Sequence, residues 1–193
     1  MDKEMFTFYK NALINNLCED YKKEFKKDLD DKKKLFELCM RQQAIPFFCT
    51  YCYNGKGVSI NYVTKEYREY INGRFTADDC DDVHGYTYQL WCNYKKDIHI
   101  TSDITHIMQC NSTVDIIPTH CPTIYISNKS NVTLNAEGFN TIILYLFDKS
   151  NVVIENLNET CSLLAYKYSD DCNVSLGSQC NGKVKQFKKT LRL

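Results

Sequence analysis

From Met5 to Leu29 the apolar side chains fall at three- and four-residue steps: Met5, Phe6, Phe8, Tyr9, Ala12, Leu13 and Leu17, then Tyr21, Phe25 and Leu29. That period predicts one or two amphipathic helices with a lysine-rich outer face. A second set, Leu35, Phe36, Cys39 and Met40, follows Asp30 and Asp31, either of which suits an N-cap. Pro46 can open a third helix, because its missing N–H is not needed in the first turn, and "PFFCTYCY" then runs to a stop at Asn54-Gly55. Ser59 precedes a fourth set, Tyr62, Val63, Tyr67 and Ile71, which Gly73 is expected to end in the left-handed position. Residues 1–73 therefore read as a small helical bundle.

Between residues 74 and 104 the pattern is weak. Tyr86, Tyr88 and Leu90 alternate after a turn signal at His84-Gly85, which predicts a strand or hairpin serving as a connector. Past 104 the period drops from 3.6 to 2. Short β-branched runs alternate with polar elbows, "CNST", "NKSN", "DKSN" and "DDCN", and Lys-Ser-Asn-Val occurs twice, at 129–132 and 149–152. Aligning the runs after the elbows sets Val114, Val132, Val152 and Val174 in one row, at intervals of 18, 20 and 22 residues. Evenly spaced strands alone would also suit a β-sandwich, but in-register copies every 20 or so residues point to a solenoid in which each coil stacks on the last. The expected fold class is α+β: an N-terminal helical bundle capping a parallel β-solenoid of about four coils over 105–193. Its hand is expected to be right, the preference of parallel crossovers. The final "GKVKQFKKTLRL" would finish the last coil with a strand at Val184 and a charged edge.

Composition adds constraints. Lys plus Arg and Asp plus Glu both total 24, so there is no overall electrostatic case for binding nucleic acid. Residues 74–182 nevertheless balance at −7, and residues 183–193 hold five basic side chains and no acidic one. The N-terminus shows acidic residues where a signal peptide needs basic ones, and no apolar run is long enough to span a bilayer, so the expected location is cytoplasmic. In that reducing setting the 11 cysteines read mostly as free, buried thiols. Five Asn-x-Ser/Thr matches, at Asn111, Asn128, Asn131, Asn158 and Asn173, read as turn chemistry.

Catalytic signatures are weak throughout. Cys49 and Cys52 form a CxxC that Cys18 and Cys39 could complete as a zinc site, but no second CxxC or paired histidine accompanies it, and buried core thiols are the reading preferred. Asp78, Asp79, Asp81 and Asp82 lack the ligand order of a calcium loop, and His84, His99, His106 and His120 pair with no nucleophile. Neither a phosphate loop nor a strict hexapeptide repeat is present, so no catalytic residue and no cofactor is assigned. Tyr125, Tyr145 and Tyr166 recur at intervals of 20 and 21, and form either an outward aromatic stripe or core filler. With Ser130, Asn131, Ser150 and Asn151 from the corners, they are the candidate binding surface. A groove near His84 and Trp91 is the alternative site.

The segments "FYKNALINNLCEDYKKEF", "LFELCMRQQAIPFFC", "YREYINGRF", "HGYTYQ" and "IYISNKSNVTLNAEG…LFDKSNVVIENLN…GKVKQFKK" together resemble uncharacterised small helical-cap and β-solenoid proteins of Bacteroidales, their prophages and phages. The resemblance implies a phage or mobile-element accessory protein and carries no activity. The function expected is non-enzymatic: binding of a host or virion protein, or a structural role, with self-association open and neither membrane nor nucleic acid as partner. A small-ligand binder or degenerate enzyme, with its site between the helices and the first coil, is the alternative.

Overall fold

The computed structural model describes residues 3–14, 18–41, 44, 48, 57–69, 71–77, 86–116, 121–138 and 141–189. Four helices come first among them: α1 (Lys3–Ile14), α2 (Glu19–Lys27), α3 (Lys32–Met40) and α4 (Ile60–Glu66). Of the two aspartates suited to cap α3 the second does so, and Ser59 caps α4. Asp31 Oδ1 accepts from the Lys34 N–H at 3.1 Å, and Ser59 Oγ from the Tyr62 N–H at 3.1 Å, each satisfying a donor that the start of a helix leaves over. α4 ends earlier than expected. Its last turn closes at Tyr67, whose N–H bonds to the Val63 carbonyl, and the chain then bridges from Ile71 to Leu90. Asn72, not Gly73, takes the left-handed conformation, with φ 58°, which asparagine tolerates better than most residues. Gly73 instead opens a strand. The helix expected from Pro46 lies outside the described residues apart from the buried Phe48, as does the turn at His84-Gly85.

Strands β1 (Gly73–Ala77) and β2 (Tyr86–Cys92) pair antiparallel. From β2 onward every pairing is parallel, and the chain alternates between two sheets. One stacks β2, β4 (Ile104–Met108), β6 (Thr123–Ser127), β8 (Thr141–Leu146), β10 (Ser162–Lys167) and β12 (Lys183–Lys188), with β1 on its edge. The other stacks β3 (Ile98–Ile100), β5 (Asn111–Ile116), β7 (Asn131–Ala136), β9 (Asn151–Leu157) and β11 (Asn173–Cys180). This is a parallel β-solenoid of about five turns. It begins with β2, inside the segment expected only to connect.

Alternate residues point inward, as a strand period of 2 requires. Val114, Leu134 and Ile154 stack in register at 0% exposure, and Leu176 ends their row at 55%, because among the described residues no further turn covers it. The register differs from the expected one at its first copy. Val132 stands opposite Ser112, not Val114, so the spacing along that row is 20, 20 and 22 residues. The corner sets the register: Asn111 pairs with Asn131, and Asn131 with Asn151. A slip of two residues leaves every side chain on its own face, so the hydrophobic pattern alone does not detect it.

The helices cover the first turns from the side. Leu90, Cys92 and Met108, on the outer face of β2 and β4, share one buried cluster with Leu35, Phe36 and Val63 of the helices. Each end of the inward row that runs Gln89, Thr105, Ile124, Leu144, Ala165, Gln186 is a glutamine. Gln89 Nε2 donates to the His99 carbonyl at 3.0 Å and its Oε1 accepts from the Thr101 N–H at 2.9 Å, whereas Gln186 Nε2 donates to the Val174 carbonyl at 3.3 Å. At both ends a polar side chain thus ties one sheet to the other.

Candidate functional site

Two surfaces of the solenoid carry repeated chemistry. The first is the corner where the chain passes from the seven-stranded sheet to the other. Positive φ recurs there at Asn93 (52°), Gln109 (52°), Asn128 (57°), Lys129 (58°) and Asp148 (58°), a conformation that suits short polar side chains. Next along the chain comes an inward position, filled in successive turns by Cys110, Ser130, Ser150 and Cys172, all buried. Ser130 Oγ donates to the Ser127 carbonyl at 2.6 Å and accepts from the Cys110 N–H at 3.1 Å, so its hydroxyl replaces ladder bonds that the bend removes. Outside it runs the asparagine row Asn111, Asn131, Asn151 and Asn173, in which Asn151 Nδ2 donates to Asn131 Oδ1 at 2.9 Å. Serine and asparagine of the doubled Lys-Ser-Asn-Val thus divide the corner, one inward and one outward.

Asp148 occupies the turn position that Asn128 fills one coil earlier, and it is only 2% exposed. Both carboxylate oxygens accept from the Lys129 N–H at 3.0 Å, and Oδ1 also accepts from Ser150 Oγ at 3.0 Å. Burial raises its pKa in spite of these bonds, so the charge itself destabilises the fold at neutral pH. Asp148→Asn is therefore expected to change stability by less than about 1 kcal/mol, while Asp148→Ala, which orphans the Lys129 N–H, loses about 1–3 kcal/mol. Urea midpoints of the two variants check this, and equal losses would refute it. Around this corner lies an open groove of about 770 Å³, lined mainly by asparagine, glutamine and lysine.

The second surface is the outer face of the seven-stranded sheet. Tyr125, Tyr145 and Tyr166 point outward from the core and stack, with centroids 5.0 and 5.2 Å apart and ring planes within 18° and 21°. Phe187 extends the ladder at 5.0 Å, and Lys189 Nζ stands 4.6 Å from the centre of the Tyr166 ring. A parallel pair, Phe147 and Tyr168, stacks at 4.7 Å beside it. The same row continues backward as His106 and Leu90, which lie among the helix contacts. Exposure rises along it, from 2% at Tyr125 to 40% at Phe187. Because the rings stack on one another, their faces are occupied, and the surface presents ring edges and hydroxyls. Burial, with Tyr166 alongside, raises the Tyr145 pKa and keeps its hydroxyl protonated.

The other candidates do not converge. Cys18 is exposed and Cys39 is buried among the helices, where burial pushes its thiol pKa up; Cys49, Cys52, His84 and the acidic cluster at 78–82 lie outside the described residues. Among the described residues no group of three His, Cys, Asp or Glu side chains comes together as a metal site. Trp91 faces the solenoid core, packed against Tyr94 at 4.9 Å, on the opposite side of β2 from the helices. It therefore does not line a groove between helices and first coil. Phe187, Tyr168 and Lys189 belong to the aromatic surface and were not among the expected residues, although Phe187 follows Tyr166 at the same 21-residue interval that separates Tyr166 from Tyr145. Among the described residues no helix is long and apolar enough to cross a membrane. No family model, no curated protein and no solved structure matches this chain.

Proposed function

We propose that this protein is a non-enzymatic recognition module that binds another protein through the C-terminal half of its aromatic face. The observation that carries the reading is the stacked ladder Tyr125, Tyr145, Tyr166 and Phe187. Ring faces consumed by stacking leave little platform for a sugar or a nucleobase, whereas tyrosine edges with hydroxyls are a common composition of protein interfaces. The chain's own helices already use the beginning of this face, at Leu90, Cys92 and Met108. A partner element laid beside them would continue the same packing over Tyr145, Tyr166 and Phe187. The last strand and the residue after it bring Lys183, Lys185 and Lys189, while Lys188 is paired with Asp170 at 2.6 Å, so the partner surface is apolar flanked by carboxylates. Following the resemblance, that partner is a host or virion protein.

The test is photocrosslinking from position 187, with Tyr166→Ser and Lys185→Glu/Lys189→Glu as controls, followed by titration of the purified captured protein. The expected result is one partner with an acidic contact surface, bound at least about tenfold more weakly by either variant. Capture that is indifferent to both variants would refute the reading. A homodimer abolished by Tyr166→Ser would replace the foreign partner by a second copy.

A further inference from the structure

We propose that the corner groove binds an acidic oligosaccharide lying along the stack, independently of the aromatic face. Its volume, about 770 Å³, is in the range of specific ligand sites. Lys95, Lys129 and Lys149 line it, and its one carboxylate, Asp148, is committed to the Lys129 N–H and Ser150 Oγ. Among the described residues neither Lys95 nor Lys129 has a carboxylate partner, and Lys149 reaches only Asp171 at 4.0 Å. The free charge facing the groove is therefore positive, which calls for an anion.

The amides decide which kind. Asn93, Gln109 and Asn111 bring both an amide donor and an amide acceptor to the corner, while Asn128 and Asn131 bring mainly their Nδ2 donors, because Asn128 Oδ1 accepts from Ser127 Oγ and Asn131 Oδ1 from Asn151 Nδ2, each at 2.9 Å. A phosphate chain has only acceptor oxygens and would leave the amide carbonyls facing its charge. Sugar hydroxyls both give and accept, so they match the amides, while carboxylates on the same chain match the lysines. Among the described residues no aromatic side chain lines the groove, so they offer none of the stacking platform on which single-stranded nucleic acid depends. Lys129 and Lys149 occupy the same position in adjacent turns, and adjacent strands lie about 4.8 Å apart, close to the length of one pyranose ring along a chain. Successive turns can then address successive sugar residues.

Calorimetry with trigalacturonate, maltotriose and tripolyphosphate tests this on the intact chain. Trigalacturonate is expected to bind, more weakly as salt is raised, and maltotriose to bind at least about tenfold more weakly. Lys129→Gln/Lys149→Gln, at two exposed side chains whose loss spares the core, should weaken trigalacturonate by about tenfold or more. Tyr166→Ser should leave it unchanged, which separates this site from the protein-binding face. Tighter binding of tripolyphosphate than of trigalacturonate, equal binding of maltotriose, indifference to the lysine variant, or no binding of trigalacturonate at millimolar concentration would each overturn the proposal.

Discussion

Leu134→Ala is expected to remove about 2–5 kcal/mol of stability, and Leu176→Ala, in the same row, less than about 1 kcal/mol. Leu134 has a turn above and below it and is fully buried, so its truncation loses the transfer energy of the removed atoms and leaves a cavity between two strands that cannot close independently. Leu176 points the same way from the last turn but is 55% exposed, so much of its side chain is already in water and solvent fills the space left behind. Guanidinium midpoints at constant slope measure both. The contrast, more than either value, tests the architecture. Equal losses would mean that the row does not end at Leu176.

Acidification is expected to destabilise the protein well before its carboxylates titrate, and His106→Phe to flatten that dependence. His106 is fully enclosed, with Phe48 and Tyr125 against its ring and Nε2 at 3.1 Å from Ser127 Oγ. Burial pushes its pKa down from 6.5 to about 3. The folded state therefore stays unprotonated while the unfolded chain binds a proton, and the stability present above 6.5 is lost as the pH falls toward 3, by roughly 1.4 kcal/mol per unit within that window. Glu19, Glu66 and Asp170 have their pKa values lowered by Lys22, Lys32 and Lys188. They add losses in the same direction only near the carboxylate range. Asp148, whose pKa burial raises, acts in the opposite direction as its charge is relieved, so the loss just below 6.5 is the part that reports the histidine. Denaturant titrations at stepped pH check the slope, and an unchanged slope in His106→Phe would exclude it as the source.

The local rules of the chain were legible where one residue does one job. A cap at Asp30 or Asp31 is legible because such a side chain serves a backbone donor three residues away, as Asp31 does, and the period of 2 past residue 104 reads as stacked strands. What was not legible depends on neighbours distant in sequence. Whether Tyr125, Tyr145 and Tyr166 faced in or out could not be derived, because their flanking residues are apolar too: Ile124 and Ile126, Leu144 and Leu146 have the same hydropathy as a second aromatic face. The first register differs by two residues from the one the valines suggest, because Ser112 fills a position that valine fills in the next three turns. Only the corner residues, recognised as a pair of inward Cys or Ser and outward Asn, give the true alignment. The groove was half visible. Asn131 is legible from the repeat, but Asn93, Lys95 and Gln109 come from the first turns, before the motif becomes recognisable.

The glutamines at positions 89 and 186 determine where the stack can grow. Gln89 fastens the first parallel strand of the long sheet, β2, and Gln186 the last, β12, each to its neighbour across the core, so the two ends are finished separately from the turns between them. An inserted or deleted internal turn of 20 residues would leave both fastenings intact. It would add or remove one ladder ring, one corner lysine and one outer asparagine together. Valency toward a protein partner and toward a chain-like ligand would then scale in equal steps, with the number of turns as the single variable.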